Sequence, residues 1–279
     1  MLDRLLTIDR RIIFILIGTA VVLPALTKIK FPVTKVSTST QMLYDKIEEL
    51  PPASVVMISL DYGPSSMAEL QPQLVALLHH CFARDLRVIG IAPIIFEAVP
   101  LGRAELETIG NKHDKKYGVD YCYLGYRPGS LAVLLGLGKD IGEIYKTDVY
   151  RTPLVDIPLM QQVKNYDDVE LLITLASIAS PPAWVTYVHS GFNQVIAAGV
   201  TGVMVSELYP YLDTGQLVGL LPGLKGAAEY EKLIKSAGYT TESGQGAPGM
   251  SIQSVVHIVL ILLIIFCNVA YFINQRSEN

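Results

Sequence analysis

The chain has 279 residues, of which 51% are hydrophobic and only 17% charged, where an ordinary soluble domain carries about a quarter charged. Its formal charge of −4 leaves no basic footprint for nucleic acid, and three cysteines exclude a disulfide-framework fold. Apolar density through the middle excludes disorder, and its excess at the two ends excludes a purely soluble protein.

Residues 1–11 form a short terminal segment that ends in Arg10 and Arg11. Ile12 to Thr27 then runs sixteen residues without a charge, about 24 Å as a helix against a hydrocarbon core of about 30 Å. Leu5, Leu6, Ile8, Ile29 and Phe31 extend the apolar length while Arg10, Arg11, Lys28 and Lys30 snorkel, so 12–31 is read as a transmembrane helix. A cleaved signal peptide is the alternative; the lack of a small-x-small site favours an uncleaved anchor. Residues 32–43, with the polar run Thr34 to Thr40, read as a tether.

Residues 44–237 alternate short β-rich runs with helix-period stretches. Strands are expected at 55–60, 87–92, 121–125, 171–176, 194–199 and 216–221. Helices are expected at 67–84, 101–117, 130–145, 183–189, 203–212 and 224–235. The strands are near-continuously apolar, as a parallel sheet covered on both faces requires. The fold class is therefore α/β: a doubly wound, mostly parallel, Rossmann-like sheet of about six strands, flanked by two transmembrane helices. Ser66-Met67-Ala68-Glu69 has the pattern of a capping box, Gly129-Ser130 after Pro128 marks a helix start, and Gly238 a helix end. Lys146 to Asp168 shows no convincing element, and reads as a meander over the sheet edge or a partner-contacting arm. Residues 238–252 read as a flexible linker, 253–273 as a second transmembrane helix, and 274–279 as a tail. Within that helix Asn268 faces either headgroup water or a second helix.

Both termini then lie on one side of a cell membrane crossed twice. Arg4, Arg10, Arg11 and Arg276 mark the terminal side; Lys28, Lys30, Lys35, Lys232 and Lys235 mark the other. Because Arg10 and Arg11 abut the membrane and a signal anchor exports the segment after it, the domain is expected outside the cytoplasm.

Right-handed crossovers bring all strand carboxyl ends to one edge, where a site is sought. That edge offers Asp61 and Tyr62, Pro93, Tyr126 and Arg127, Ser177 and Ser180, Val200 and Thr201, and Pro222 with Gly223. Asp61 suits a general base, or a ligand for a ribose or amine, or merely caps its turn; Arg127 suits an anion clamp or a plain surface turn. No G-x-S-x-G elbow, Walker A loop or G-x-G-x-x-G turn is present. His79 and His80 are adjacent, about 100° apart on a helix, and cannot share a metal. No catalytic residue, metal or cofactor is assigned. Cys81 and Cys122 read as buried thiols, with a disulfide between them as the alternative, and Cys267 faces lipid or another helix. Between Tyr209 and Tyr230, the small residues Gly215, Gly219, Gly223, Gly226, Ala227 and Ala228 allow close backbone approach, within one chain or between subunits. Tethering to a membrane at both ends raises the effective concentration of neighbours, which favours a homo-oligomer interface there, with Asn268 added from the membrane helix.

The DRRI segment at the first anchor, the LDYGPSS and GYRPGS turns, and GQLVGLLPGLKGAAEYE before the last helix cover most of the chain's features. In these it resembles a group of prokaryotic membrane proteins of uncharacterised function, in which an N-terminal and a C-terminal transmembrane helix flank a Rossmann-like α/β domain. The resemblance implies an architecture and no activity. The expected function is a non-enzymatic, membrane-anchored scaffold or assembly subunit. Its expected partners are membrane lipid, further copies of itself and other membrane protein subunits, with no nucleic acid. The alternative is a small-ligand binding or sensing module using Asp61, Tyr62, Tyr126 and Arg127; a hydrolase based on Asp61 or Ser177 ranks last.

Overall fold

The computed structural model describes residues 9–277 apart from 28 and 30. The chain divides into two compact units, Met1–Pro32 together with Ala247–Asn279, and Val33–Gly246. In chain order the first elements are α1 (Arg10–Thr27), α2 (Thr38–Glu48), β1 (Val55–Asp61), α3 (Met67–Ala83), β2 (Arg87–Ala92), α4 (Ala98–Lys112) and β3 (Tyr121–Tyr126). Then come α5 (Leu131–Leu137), α6 (Ile141–Ile144), β4 (Leu171–Ala176), α7 (Pro181–Ala183), a π-helix Trp184–His189, and α8 (Ser190–Phe192). Last are β5 (Ile196–Val200), α9 (Val205–Asp213), β6 (Leu220–Pro222), α10 (Gly223–Ser236) and α11 (Gly246–Ser277).

The α/β unit is built on six parallel strands in the order β3-β2-β1-β4-β5-β6. Every residue of β1, β4 and β5 is buried, because helices cover both faces. One face packs on α2, α3, α4 and α10 through Leu43, Leu74, Leu106 and Tyr230. The other packs on α5, the π-helix and α9 through Leu134, Trp184 and Leu208. Cys81 belongs to the first core and Cys122 to the second, so the sheet stands between them; both are free thiols and the disulfide alternative falls.

The long connection before β4 has a topological reason. The chain must return from the outermost strand β3 to the centre of the sheet. It does so along the amino ends of the strands it passes. Leu159 N–H donates to Gly118 O just before β3, the Arg87 guanidinium at the start of β2 donates to Gln162, and Glu170 N–H donates to Val55 O at the start of β1. Leu154, Ile157, Leu159, Met160 and Tyr166 are buried in the core beneath it. It is a packed meander with three 3-10 turns (Leu154–Asp156, Met160–Gln162, Tyr166–Asp168).

Three expectations are corrected. The tether is helical from Thr38 onward, because Ser39, Leu43 and Ile47 recur every four residues and are buried on one face. Its serine- and threonine-rich start hid that stripe: Ser37 and Thr40 hydroxyls both donate to the buried Glu229 carboxylate. Next, 238–252 is not a linker throughout, since α11 begins at Gly246. The helix expected at 130–145 breaks after Leu137, where Phe192 packs on bare Gly138 and Asp140 caps α6 by accepting from Glu143 N–H. Gly238 ends α10 as expected, at φ +80, with Tyr239 N–H donating to Ile234 O.

In the other unit, α1 and α11 are each long and apolar enough to cross a membrane. Ala20 and Pro24 of α1 and Ser251 and Ala270 of α11 are buried, and Phe31 N–H donates to Ser251 Oγ at 2.8 Å. Asn268 is exposed, and its side-chain amide donates to Ile264 O one turn back.

Gly219 lies under α2. A Cβ there would stand 2.5–2.7 Å from Leu43, two of those contacts with backbone atoms. Gly215 at φ +74 has open space around it. Gly219→Ala is therefore expected to cost about 3 kcal/mol through overpacking, and Gly215→Ala about 1 kcal/mol from conformation alone. Urea midpoints of the two variants check the ordering.

Candidate functional site at the strand carboxyl edge

In a sheet ordered this way the direction of winding reverses between β1 and β4, and the crevice outside their carboxyl ends is where doubly wound folds bind ligands. Asp61 is the last residue of β1, paired with Ala176 of β4. Its carboxylate is fully buried. Ser59 Oγ donates to it at 3.0 Å, Thr174 Oγ1 at 2.9 Å and Trp184 Nε1 at 3.0 Å. Ser180 lies in range without hydrogen-bond geometry. Burial pushes the Asp61 pKa up, and the hydrogen bonds from Trp184, Thr174 and Ser59 only partly oppose that. No cation is among these partners. A carboxylate enclosed by three neutral donors fastens β1, β4 and the π-helix together; it has no open side from which to take a proton from a substrate.

Tyr62 is likewise fully buried, its hydroxyl donating to Gln71 Oε1 at 2.7 Å, and Gln71 Nε2 in turn to Glu105. Tyr126 is half-buried with its ring edge-on to Phe96 at 5.6 Å, and Arg127 is exposed. Of the four residues expected to share a ligand, two are thus sealed in the core and two stand at the surface. Beside Arg127 the backbone is strained: Gly129 has φ +125, and Ser130, with a side chain, has φ +37.

The capping box does not form, since Ser66 makes no capping hydrogen bond. Glu69 instead reaches across the edge and accepts from Gly202 N–H at 2.8 Å, where Gly223 at φ +52 leaves it room. The small residues expected at an oligomer contact are largely spent within the chain. Gly219 meets Leu43, Gly223 meets Glu69 and Gly202, and Gly226 meets the Leu221 backbone and Pro222. Ala227 and Ala228 are buried under Gly246, and Gly215 alone of the set is exposed.

Periodicity does not reveal what the same edge exposes. After each of four strands, in the turn or at the first residue of the next helix, a large apolar side chain is exposed: Met67 at 41%, Phe96 at 65%, Leu131 at 39% and Val203 at 86%. Ile94 and Ile178 lie half-buried in the turns after β2 and β4. Single apolar residues in loops carry no signal alone; only the parallel topology gathers these onto one edge. Trp184, the one tryptophan, gives no sequence signal as the partner of Asp61 because a π-helix does not follow the 3.6-residue period.

At the opposite end of α3, His80 is buried between the rings of Tyr44 at 4.7 Å and Tyr239 at 5.2 Å. Its nitrogens meet Tyr230 O–H at 2.6 Å and Glu48 at 2.9 Å. His79 pairs with His113 at 2.9 Å. Burial pushes both His79 and His80 down to about 4. Among the described residues no group of three or more His, Cys, Asp or Glu is placed to hold a metal ion.

No protein-family model and no curated protein matches the chain. Among solved structures it is similar to a trehalose-6-phosphate synthase, at 9% identity and TM-score 0.30 over 88% of this chain and 47% of that one. It is also similar to the glycotransferase of kitacinnamycin, at 14% identity and TM-score 0.26 over 72% of this chain and 44% of that one. The chain spans less than half the length of either structure. Likeness at this level identifies no activity.

Asp61→Ala leaves the Trp184 indole N–H without an acceptor and is expected to cost about 2 kcal/mol, whereas Asp61→Asn, which keeps one acceptor oxygen, costs less; chemical denaturation of both measures the difference. The histidines set the pH response. Their folded pKa values of about 4 lie below the unfolded 6.5, so between these values the unfolded chain binds more protons. The contribution of the two histidines is complete above pH 6.5 and is lost as pH falls toward 4, by at most about 1.4 kcal/mol per pH unit for each ring. Asp61 runs the other way, its contribution complete in acid and lost as pH rises through its raised pKa. Thermal melts from pH 4 to 8 are expected to show the acid loss, flattened in His79→Gln with His80→Gln.

Proposed function

We propose that this protein is a non-enzymatic, membrane-anchored assembly or scaffold subunit. On this reading its α/β unit binds a protein partner, a second copy or another membrane subunit, through the strand carboxyl edge. The observation that carries it is the set of apolar side chains, Met67, Phe96, Leu131 and Val203, displayed on the edge where the fold would otherwise hold a ligand. The enclosure of Asp61 and Tyr62 supports it further, since neither is accessible to a substrate. We favour this surface over 215–228, whose small residues other than Gly215 already meet atoms of their own chain. We read α1 and α11 as crossing the membrane twice, with both termini on one side and the α/β unit outside the cytoplasm, because Arg10 and Arg11 stand at the start of α1.

A small-ligand reading retains one specific observation, the strained Gly129–Ser130 turn beside the exposed Arg127. It requires a ligand-induced thermal shift that Arg127→Ala removes.

Phe96→Ser with Val203→Ser replaces two exposed side chains, so folding stability should change by no more than about 0.5 kcal/mol. Association should weaken by about 30-fold, the effect of losing a central apolar anchor. Light scattering in mild detergent and co-purification with partner subunits check this. Unchanged mass and unchanged partners in a folded double variant would refute the proposed surface.

A further inference from the structure

The exposed face of α10 segregates charge. Lys225 and Lys232 stand seven residues apart on one face, with Lys235 one turn on, and all three are exposed. The two carboxylates of the helix are held elsewhere. Glu229 is buried beneath Ser37 and Thr40, with Lys225 reaching back to it at 3.1 Å, and Glu231 accepts from Gly246 N–H. Lys232 Nζ donates to Val33 O at 2.8 Å and to Thr34 O at 3.4 Å, next to the exposed Lys35. These partners are neutral carbonyls, and among the described residues no carboxylate pairs with Lys232.

The stripe lies where the chain enters and leaves the α/β unit. Residue 232 holds Val33 and residue 231 holds Gly246, so both connections to the apolar helices emerge at neighbouring positions of α10. Val33 follows Thr27, the last residue of α1, by six residues, a reach of about 20 Å at full extension. Within that reach the sequence adds Lys28 and Lys30.

We propose that Lys225, Lys232 and Lys235 of α10, with Lys35, form a binding surface for anionic lipid headgroups. This rests on the membrane reading of α1 and α11. Each lysine near an anionic surface strengthens binding by about five-fold, and the interaction weakens with salt over a Debye length of about 8 Å.

The test uses the full chain with Cys267→Ser, reconstituted in nanodiscs. A fluorophore is placed on Ser236→Cys beside the stripe, and on Val155→Cys in the β3–β4 meander as a control. Quenching by headgroup-labelled lipid is expected to rise several-fold at position 236 when 30% phosphatidylglycerol replaces phosphatidylcholine. It should fall again in 0.5 M salt and vanish with Lys225→Gln, Lys232→Gln and Lys235→Gln, while position 155 stays unchanged. Quenching at 236 that ignores lipid charge and salt would mean tethering alone and would overturn the headgroup surface while leaving the membrane reading intact. A chain that fails to enter nanodiscs would overturn the membrane reading itself.

Discussion

A fully buried carboxylate without a cation sits where the winding of the sheet reverses. Asp61 accepts from Ser59 on its own strand, Thr174 on β4 and Trp184 on the π-helix. Such a group is costly to bury, and three neutral donors offset the cost only because all are held in place. The lock decides what the carboxyl edge can do. With Trp184 buried and hydrogen-bonded to it, Asp61 joins the two halves of the sheet at the position that a doubly wound fold ordinarily uses for a ligand. What the rim exposes is a set of apolar side chains, Met67, Phe96, Leu131 and Val203, beside the charged Glu97 and Arg127. In the proposed function, the enclosed carboxylate is structural and the exposed apolar side chains serve docking of a protein.

The second organising feature is the way the chain enters and leaves the α/β unit. Two consecutive residues of α10 hold the two connections, Glu231 at Gly246 and Lys232 at Val33. The small residues of the 215–228 segment serve the same arrangement. Gly219 admits α2 against the edge strand, and Gly226 lets α10 turn tightly out of β6. A stripe of small residues is therefore explained by close packing inside one chain.

Much of the fold is legible in the sequence. The first four strands fall within one residue of their expected bounds, since β-rich apolar runs ending in Pro and Gly turns have few alternative readings. The sixth begins at Leu220 rather than 216 because Leu217, before the strand, is as buried as Leu220 and Leu221 within it, so apolar pattern alone does not mark its start. Helix α2 is hidden by its serines and threonines, whose burial depends on Glu229, about 190 residues away. The role of the irregular segment before β4 is equally invisible, because only the strand order shows that the chain must cross beneath three strands. At the site, the sequence points to Asp61 and places it correctly at the edge, yet cannot show it closed. That closure comes from Trp184, more than a hundred residues distant, in a helix whose period no amphipathic pattern encodes.

The central claim is that the carboxyl edge is covered by a protein partner in the membrane. Its most direct measurement is photo-crosslinking in native membranes, with a benzophenone amino acid introduced at position 96 and, as a control, at position 155. The account predicts a discrete protein adduct of defined mass from position 96 and none from 155. No adduct at 96, or equal adducts at both positions, would contradict it.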